Sequence, residues 1–244
     1  MKYIQTWSNN MSKVGKPKIT SNKAGKEFTH ITFKPDLKRF GMETLDADFE
    51  AVIKRRVYDI AGCCKIAKVE LNGERLKIKN FKQYVDMYVQ SNAKKDVAEG
   101  IDAEALDLTP KPTILHHVVN DRWEVAFTVS DGQFNQVSFV NSIATTKGGT
   151  HVDHVAQQII TKLVDDVKRR NKAAAVKPHQ IKQHLWIFVN CLIENPAFDS
   201  QTKENMTLRP SSFGSKCNLP DDFIKKSTSL SLGLLTVSLE KRCC

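Results

Sequence analysis

The 244-residue chain has 37 Lys and Arg residues against 27 Asp and Glu, a formal net charge of +10, and 41% of its residues are hydrophobic. This hydrophobic content predicts a globular protein with one large or two modest domains. The positive charge favours a polyanionic partner or an acidic neighbouring surface, but it does not specify a fold.

The cysteines and the apolar runs exclude several classes of protein. No apolar run is long enough to span a membrane, and the first residues lack the apolar core of a signal peptide. A soluble intracellular protein is therefore expected. Neither a zinc site nor a disulfide framework is expected, because no C-x-x-C pair and no histidine at ligand spacing accompanies the six cysteines: Cys63, Cys64, Cys191, Cys217, Cys243 and Cys244.

The first quarter of the chain predicts a loop, a strand and a helix. Residues 1–27 are rich in Lys, Ser, Asn and Gly and predict a loop or detached segment, whereas residues 28–33 predict a strand. Asp46 can cap a helix that Gly62 ends. The apolar stripe of this helix contains Phe49, Val52, Ile53, Val57 and Ile60.

A hairpin, a short helix and a change of composition follow. Residues 66–78 alternate around Asn72-Gly73, a strong hairpin signal, and residues 81–89 predict a helix. Residues 91–112 shift to Lys, Asp, Glu and Ala and end in prolines, which predicts a domain boundary or a long insertion.

The second half predicts a hairpin, a long helix and a central strand. A strand over Trp123 to Val129 turns at Asp131-Gly132 and pairs with residues 137–143. A long helix with a buried face begins with Thr150 and Asp153 as a variant of the capping box. Residues 185–193 are apolar on both faces, which predicts a central strand covered on both sides.

Two polar stretches could carry function. Residues 198–206 follow the central strand and predict either a solvated turn or a loop that delivers an amide and a lysine to a phosphate. Cations at the end of the long helix fit either a favourable interaction with the helix dipole or contact with duplex phosphates: Lys168, Arg169, Arg170 and Lys172, beside Asn171.

Other motifs favour plain structural interpretations. His151 and His154 flank Asp153, but no third metal ligand is close in sequence, and the group is expected on the polar face of a helix start. Residues 147–150 contain only a fragment of a phosphate loop, so a close-packed turn is the better interpretation. His116, His117 and Glu194 have no visible partner for acid-base chemistry.

Several runs of the sequence closely resemble the eukaryotic type IIA DNA topoisomerases. The resemblance covers about residues 2–226 and is carried by residues 31–37, 56–62, 84–88, 138–149, 186–190 and 194–205. It implies an α/β (α+β) fold in which residues 1–110 are the C-terminal part of a GHKL (Bergerat) ATPase sandwich. Residues 111–226 would be a transducer domain with a ribosomal-protein-like α/β fold.

The resemblance also implies which residues bind. The transducer loop of the family inserts a glutamine and a lysine into the ATP site, which match Gln201 and Lys203, with Thr202 contributing backbone. A lysine-rich transducer loop touches the transported DNA and matches Lys168, Arg169, Arg170, Asn171 and Lys172, where arginine replaces lysine at two positions.

A whole enzyme of this kind uses ATP and Mg²⁺ as a homodimer in the nucleus to pass one DNA duplex through another, relaxing and decatenating DNA. The general base, the magnesium ligand and the ATP lid are expected upstream of Met1, and the cleaving tyrosine downstream of Cys244. The isolated chain is therefore expected to be inactive, with a divergent, disordered tail over residues 227–244. The alternative is a non-enzymatic DNA-binding or regulatory fragment.

Overall fold

The computed structural model describes residues 1–98, 113–170, 172 and 176–226. The chain divides into two compact units, Met1–Ile53 and Lys54–Cys244. The fold is mixed α/β, as predicted. The predicted boundary near residue 110 and the predicted disordered tail lie outside the described residues, so both stay predictions.

The first unit contains an extended hairpin. Strand β1 (Lys2–Ile4) pairs antiparallel with β4 (Lys18–Thr20), and β2 (Trp7–Ser8) pairs antiparallel with β3 (Lys13–Val14). The prediction of a loop over residues 1–27 was wrong for this part, because polar residues on both faces of an exposed ribbon hide the alternation of a strand. Residues 28–33, predicted as a strand, pair with nothing in the described chain.

Helix α1 (Ala47–Cys63) begins as predicted. The Asp46 carboxylate accepts a hydrogen bond from the Phe49 backbone N–H at 2.7 Å. The prediction that Gly62 ends the helix was wrong, because the helix continues to Cys63. Gly62 lies inside the last turn, where an added Cβ would lie 2.5 Å from Cγ of Tyr84, so glycine permits the close contact. Most of the predicted apolar stripe is exposed, namely Phe49, Val52, Ile53 and Ile60.

The predicted hairpin and second helix are confirmed. Strands β5 (Glu70–Leu71) and β6 (Glu74–Arg75) are joined by Asn72-Gly73, and both turn residues have positive φ. Helix α2 (Phe81–Ala98) extends well past the predicted end at residue 89.

A five-stranded sheet forms the centre of the second unit. The strands are β7 (Leu115–Asn120), β8 (Trp123–Val129), β9 (Asn135–Val140), β10 (Ile143–Ala144) and β12 (Leu185–Cys191). Their order in the sheet is β10-β9-β12-β8-β7, and β12 runs antiparallel to β8 and parallel to β9.

The prediction that β8 pairs with residues 137–143 was wrong. Strand β12 lies between β8 and β9 and hydrogen-bonds to both, so those two are not neighbours. Local alternation predicts a strand but does not identify its partner, and β12 begins only at Leu185, 45 residues after β9 ends at Val140. Strand β7 was not predicted at all.

The prediction for the central strand is confirmed. Ile187 and Val189 of β12 belong to one core, which also contains the buried face of α3 (Thr150–Arg170). Phe188 belongs to a second core, with Tyr84 and Val85 of α2. The strand therefore has to be apolar on both faces. A short helix, α4 (Pro178–Lys182), leads into it.

Two short strands fix the start of α3. Strand β11 (Gly148–Gly149) pairs in parallel with β13 (Asn205–Met206). Gly149 has φ +133°, and an added Cβ would lie 2.2 Å from the carbonyl oxygen of Met206. The predicted capping box is absent, because Thr150 Oγ1 donates to the Leu208 carbonyl and Asp153 pairs with Lys182.

A buried polar network lies beside β11. His151 is fully buried, and its Nε2 lies 3.0 Å from Oγ1 of Thr145, which in turn contacts the Ser138 hydroxyl. The expectation that His151 lies on a polar helix face was therefore wrong. Burial lowers the pKa of His151 to about 3.

Replacing Gly149 by alanine should destabilise the second unit by about 2–4 kcal/mol, because unfavourable backbone geometry and a steric overlap act together. The matched control is Gly132→Ala, since Gly132 also has positive φ but its nearest neighbour is 4.0 Å from an added Cβ. Urea unfolding followed by tryptophan fluorescence measures both. Equal losses would rule out the contact with Met206 as the cause.

His151 should make stability depend on pH. Its folded pKa is depressed, so its contribution is complete above the unfolded pKa of about 6.5 and is lost as the pH falls below it. The free energy of unfolding should drop by about 2–3 kcal/mol between about pH 7 and 4.5. His151→Gln should flatten this slope, whereas replacement of the exposed His179 by glutamine should not.

Candidate functional site

The loop of residues 198–206 is closed at its base. Phe198 and Met206 form an antiparallel bridge, and the Asp199 N–H donates to the Asn205 carbonyl at 3.3 Å. The Asn205 side-chain amide donates to the Asp199 carboxylate at 2.9 Å. The Thr207 N–H donates to the Ala197 carbonyl at 2.9 Å. Two backbone hydrogen bonds, which make up this bridge, and one side-chain hydrogen bond therefore hold the ends of the loop together.

The tip of the loop presents the three residues predicted to bind ATP. Gln201 and Thr202 are exposed and Lys203 is half-buried. The Lys203 N–H donates to the Ser200 carbonyl at 3.1 Å, and Lys203 has φ +58°, which closes a tight turn. Within the described part of the chain, neither the Gln201 amide nor the Lys203 ammonium has a polar partner. The tip thus offers an uncompensated cation beside an amide.

Lys147 explains why the charge of Lys203 stays uncompensated. The Lys147 ammonium lies 2.8 Å from the carboxylate of Glu204, the acidic residue next to Lys203. This hydrogen bond raises the pKa of Lys147 and lowers the pKa of Glu204. The Lys147 N–H also donates to the Glu204 carbonyl at 2.9 Å. Sequence reasoning missed this pair, and only the position of Lys147 before a double glycine hinted at a close approach.

The structure also fixes where the loop starts. Asn141 clamps the end of the central strand, since its side chain donates to the Ile193 carbonyl at 3.0 Å and accepts from the Ile193 N–H at 2.9 Å. At its other end, the loop enters β13 against Gly149. The loop is therefore anchored to the central strand and to the start of α3.

The residues predicted to contact DNA lie at the opposite end of α3. Lys168 and Lys172 are exposed, and Arg169 forms an ion pair with Asp166. Arg170 is the last residue of the helix, but its side chain lies outside the described residues, as does the whole of Asn171. A helix of 21 residues is about 30 Å long, so this basic end and the loop tip are two separate sites.

The remaining candidate residues from the sequence make contacts that stabilise the fold. The His154 ring lies 3.0 Å from the Cys217 carbonyl. His116, which had no visible partner in the sequence, lies 2.7 Å from buried Glu124, and Lys65 lies 3.2 Å from the same carboxylate. Burial raises the pKa of Glu124, but these two hydrogen bonds outweigh it and hold the pKa below its ordinary value.

The described residues contain neither a metal-binding group of side chains nor a membrane-spanning helix. There, no three His, Cys, Asp or Glu side chains form a group that could hold a metal ion. Within residues 1–98, 113–170 and 176–226, no helix combines the length and the apolar character needed to cross a membrane.

Comparison with known proteins assigns a family. The family described as DNA gyrase B matches residues 80–227, more than half of the chain. DNA topoisomerase 2 of Candida glabrata is 55% identical over 227 residues, 92% of this chain and 16% of that protein. DNA topoisomerase 2 of Saccharomyces cerevisiae is 54% identical over 226 residues, again 92% and 16%. Human DNA topoisomerase 2-beta is 50% identical over 228 residues, 93% of this chain and 13% of that protein.

Solved structures agree with this assignment. The crystal structure of the ATPase region of S. cerevisiae topoisomerase II matches with a TM-score of 0.83 at 48% identity, over 98% of this chain and 57% of that one. The ATPase and transducer domains of Balamuthia mandrillaris DNA topoisomerase II match with a TM-score of 0.84 at 38% identity, over 99% and 59%. The chain thus spans only part of each relative. Its sequence and fold together place it in the type II DNA topoisomerase family.

Proposed function

We propose that this chain is the part of an ATP-dependent type II DNA topoisomerase that senses the nucleotide and relays its state to DNA. Residues up to about 110 would be the C-terminal part of the GHKL ATP-binding module, and residues 111–226 the transducer domain. The likeness to the ATPase region of S. cerevisiae topoisomerase II supports this assignment.

The observation that carries the proposal is the uncompensated Lys203 at the tip of a clamped loop. An ammonium with no carboxylate partner in the described chain is suited to a terminal phosphate, and Gln201 can add an amide hydrogen bond. Thr202 would contribute its backbone. Because Lys147 neutralises Glu204, the acidic neighbour does not compete with the phosphate for Lys203.

The attachment of the loop to the central strand and to the start of α3 would couple nucleotide binding to a movement of these elements. A charge-assisted hydrogen bond is worth about 1.5–3 kcal/mol, which is enough to shift a two-state equilibrium about 10- to 150-fold. With the terminal phosphate present, Lys203 would stabilise the closed conformation of the enzyme. Loss of this phosphate would release the loop. Movement of the loop base would act directly on β11 and on the start of α3.

The basic end of α3 would contact the transported duplex. Lys168, Arg169, Arg170, Asn171 and Lys172 would meet phosphates without reading the base sequence. The Arg169 charge is partly compensated by Asp166, so Lys168 and Lys172 should contribute more than Arg169.

The whole enzyme would relax and decatenate nuclear DNA as a homodimer, with magnesium accompanying ATP. We assign no magnesium ligand to the described residues, because they contain no suitable group of side chains. The 244-residue chain alone should not turn over ATP. The catalytic test therefore uses a chimera in which residues 1–226 replace the matching segment of the S. cerevisiae relative.

In this chimera, Lys203→Met should weaken binding of a non-hydrolysable ATP analogue by about 10- to 100-fold, since one charge-assisted hydrogen bond is lost. ADP affinity should hardly change, because ADP lacks the terminal phosphate. Calorimetric titration measures both affinities, and ATP turnover should fall with the affinity for the analogue.

Two variants control for this result. Lys203→Arg keeps the cation and should retain most of the preference for the analogue, whereas Lys216→Met removes an exposed lysine elsewhere and should change nothing. Equal loss of ADP and analogue affinity in Lys203→Met would contradict a role in sensing the terminal phosphate.

Replacing both Lys168 and Lys172 by glutamine should weaken duplex binding by the 244-residue chain to a similar degree for all sequences. The log–log slope of affinity against salt should become shallower by about 2, one unit for each phosphate contact. Fluorescence anisotropy measures the slope. The control replaces Lys77 and Lys79, exposed lysines near the β5–β6 hairpin. An equal change of DNA affinity and salt slope in the two double variants would contradict a DNA-binding role for the C-terminal end of α3.

A further inference from the structure

We propose that a buried hydroxyl relay positions Lys147 for its contact with Glu204 and thereby acts on the proposed phosphate site. The relay consists of Ser138 in β9, Thr145 directly after β10 and His151 in the first turn of α3. Ser138 is 3% exposed, and the other two residues are fully buried. The relay therefore lies inside the second unit, where it joins the sheet to the start of α3.

The His151 ring has only one nitrogen within reach of the relay. Burial lowers the pKa of His151 to about 3, so the ring is neutral at pH 7 and carries a single proton. Its Nε2 lies 3.0 Å from Oγ1 of Thr145, whereas its Nδ1 is buried and has no hydrogen-bond partner in the described chain. Because buried N–H groups are rarely left unpaired, the proton belongs on Nε2.

This tautomer gives every donor of the relay an acceptor. The His151 ring donates to the Thr145 hydroxyl, which donates to the Ser138 hydroxyl. The Ser138 hydroxyl in turn donates to the Thr145 carbonyl at 3.2 Å. The relay thus begins on α3 and ends on the backbone of Thr145, so loss of the Thr145 hydroxyl interrupts it.

The Thr145 carbonyl, on which the relay ends, opens a tight turn. This oxygen also accepts from the Gln136 side-chain amide at 3.2 Å and from the Gly148 N–H at 2.9 Å. The bond from Gly148 closes a turn over residues 145–148, in which Lys147 is the third residue. Three donors therefore fix the peptide group that starts the turn, and the relay supplies one of them.

The turn holds Lys147 against the base of the nucleotide loop. The Lys147 N–H donates to the Glu204 carbonyl at 2.9 Å, and its ammonium lies 2.8 Å from the Glu204 carboxylate. Hydrogen bonds from Lys147 and from Thr146, both in the turn, lower the pKa of Glu204. If the turn moved, these bonds would weaken, and the Glu204 carboxylate would be free to pair with the adjacent Lys203. The relay would thus help to keep Lys203 available to a phosphate.

The effect on the phosphate rests on the proposed function of Lys203, but the positioning of Lys147 does not. The positioning can be measured without any nucleotide, through the pKa of Glu204, whereas the effect on the phosphate requires a complete ATP site. Each therefore has its own experiment, and the two can fail separately.

The first test uses the 244-residue chain without nucleotide and replaces Thr145 by valine, which keeps the shape of the side chain but removes the hydroxyl. The pKa of Glu204 should rise toward its ordinary value of about 4.3, because Lys147 is held less firmly beside it. Carbon-13 NMR across a pH titration measures this pKa, and Glu204→Gln identifies the signal.

Thr145→Ser is the matched control, because it keeps the hydroxyl and loses only a buried methyl group. Its thermal unfolding midpoint should fall, but the pKa of Glu204 should stay low. Ser138→Ala interrupts the relay at its other end and should raise the pKa of Glu204 as Thr145→Val does. This variant supplies the same test should the valine variant fail to fold.

The second test uses the chimera with the S. cerevisiae relative, in which Thr145→Val should weaken binding of the non-hydrolysable ATP analogue about two- to fivefold. This is the size expected when an exposed ion pair between Glu204 and Lys203 competes with the phosphate. ADP affinity should hardly change. Glu204→Gln should tighten analogue binding more in Thr145→Val than in the otherwise unchanged chimera, because the competing carboxylate is free only in the former.

Three results would overturn the inference. The first is an unchanged pKa of Glu204 in both Thr145→Val and Ser138→Ala, and the second is an equal rise in Thr145→Ser. The third, in a chimera where Lys203→Met does weaken analogue binding, is the same gain from Glu204→Gln with and without Thr145→Val. If the pKa rises as expected but neither Thr145→Val nor Lys203→Met changes the affinity for the analogue, the positioning of Lys147 is upheld and the proposed function of Lys203 fails.

Discussion

The central strand β12 has to be covered on both faces and paired on both edges, and most of the second unit depends on this requirement. Alternate side chains enter two different cores, so α2 and α3 must pack on opposite sides of the sheet. Asn141 then holds the end of the strand at Ile193. The direction in which the chain leaves the sheet, and hence the position of the loop that follows, is set by the burial of this strand.

Helix α3 connects the two candidate sites because its ends meet different surroundings. Its first turn adjoins β11 and the base of the Lys203 loop, whereas its last turn carries the basic residues. A continuous helix with one face in the core is a rigid element that joins its two ends. A change at the loop can therefore reach a surface about 30 Å away without passing through flexible segments. The fold thereby gives the proposed relay a physical connection.

Sequence patterns predicted local features such as caps and turns better than they predicted which strands pair. Asp46 as a cap, the Asn72-Gly73 turn and the two-sided burial of β12 were all readable, because each depends on local chemistry. The pairing of β8 with β9 was wrongly predicted, because the intervening strand comes from a distant part of the chain. At the candidate site, Lys203 stays a prediction from the family resemblance, and nothing in the sequence identified Lys147 as the partner of Glu204.

The order of strands in the sheet also has a consequence for how the chain folds during synthesis. Strands β7 and β8 form a local hairpin, and β9 and β10 form another, as soon as each has been made. The two hairpins share no edge until β12 emerges from the ribosome and joins them. Until then, both present unpaired strand edges and uncovered apolar faces, so the nascent chain should need protection from aggregation by chaperones between the synthesis of Val140 and that of Leu185.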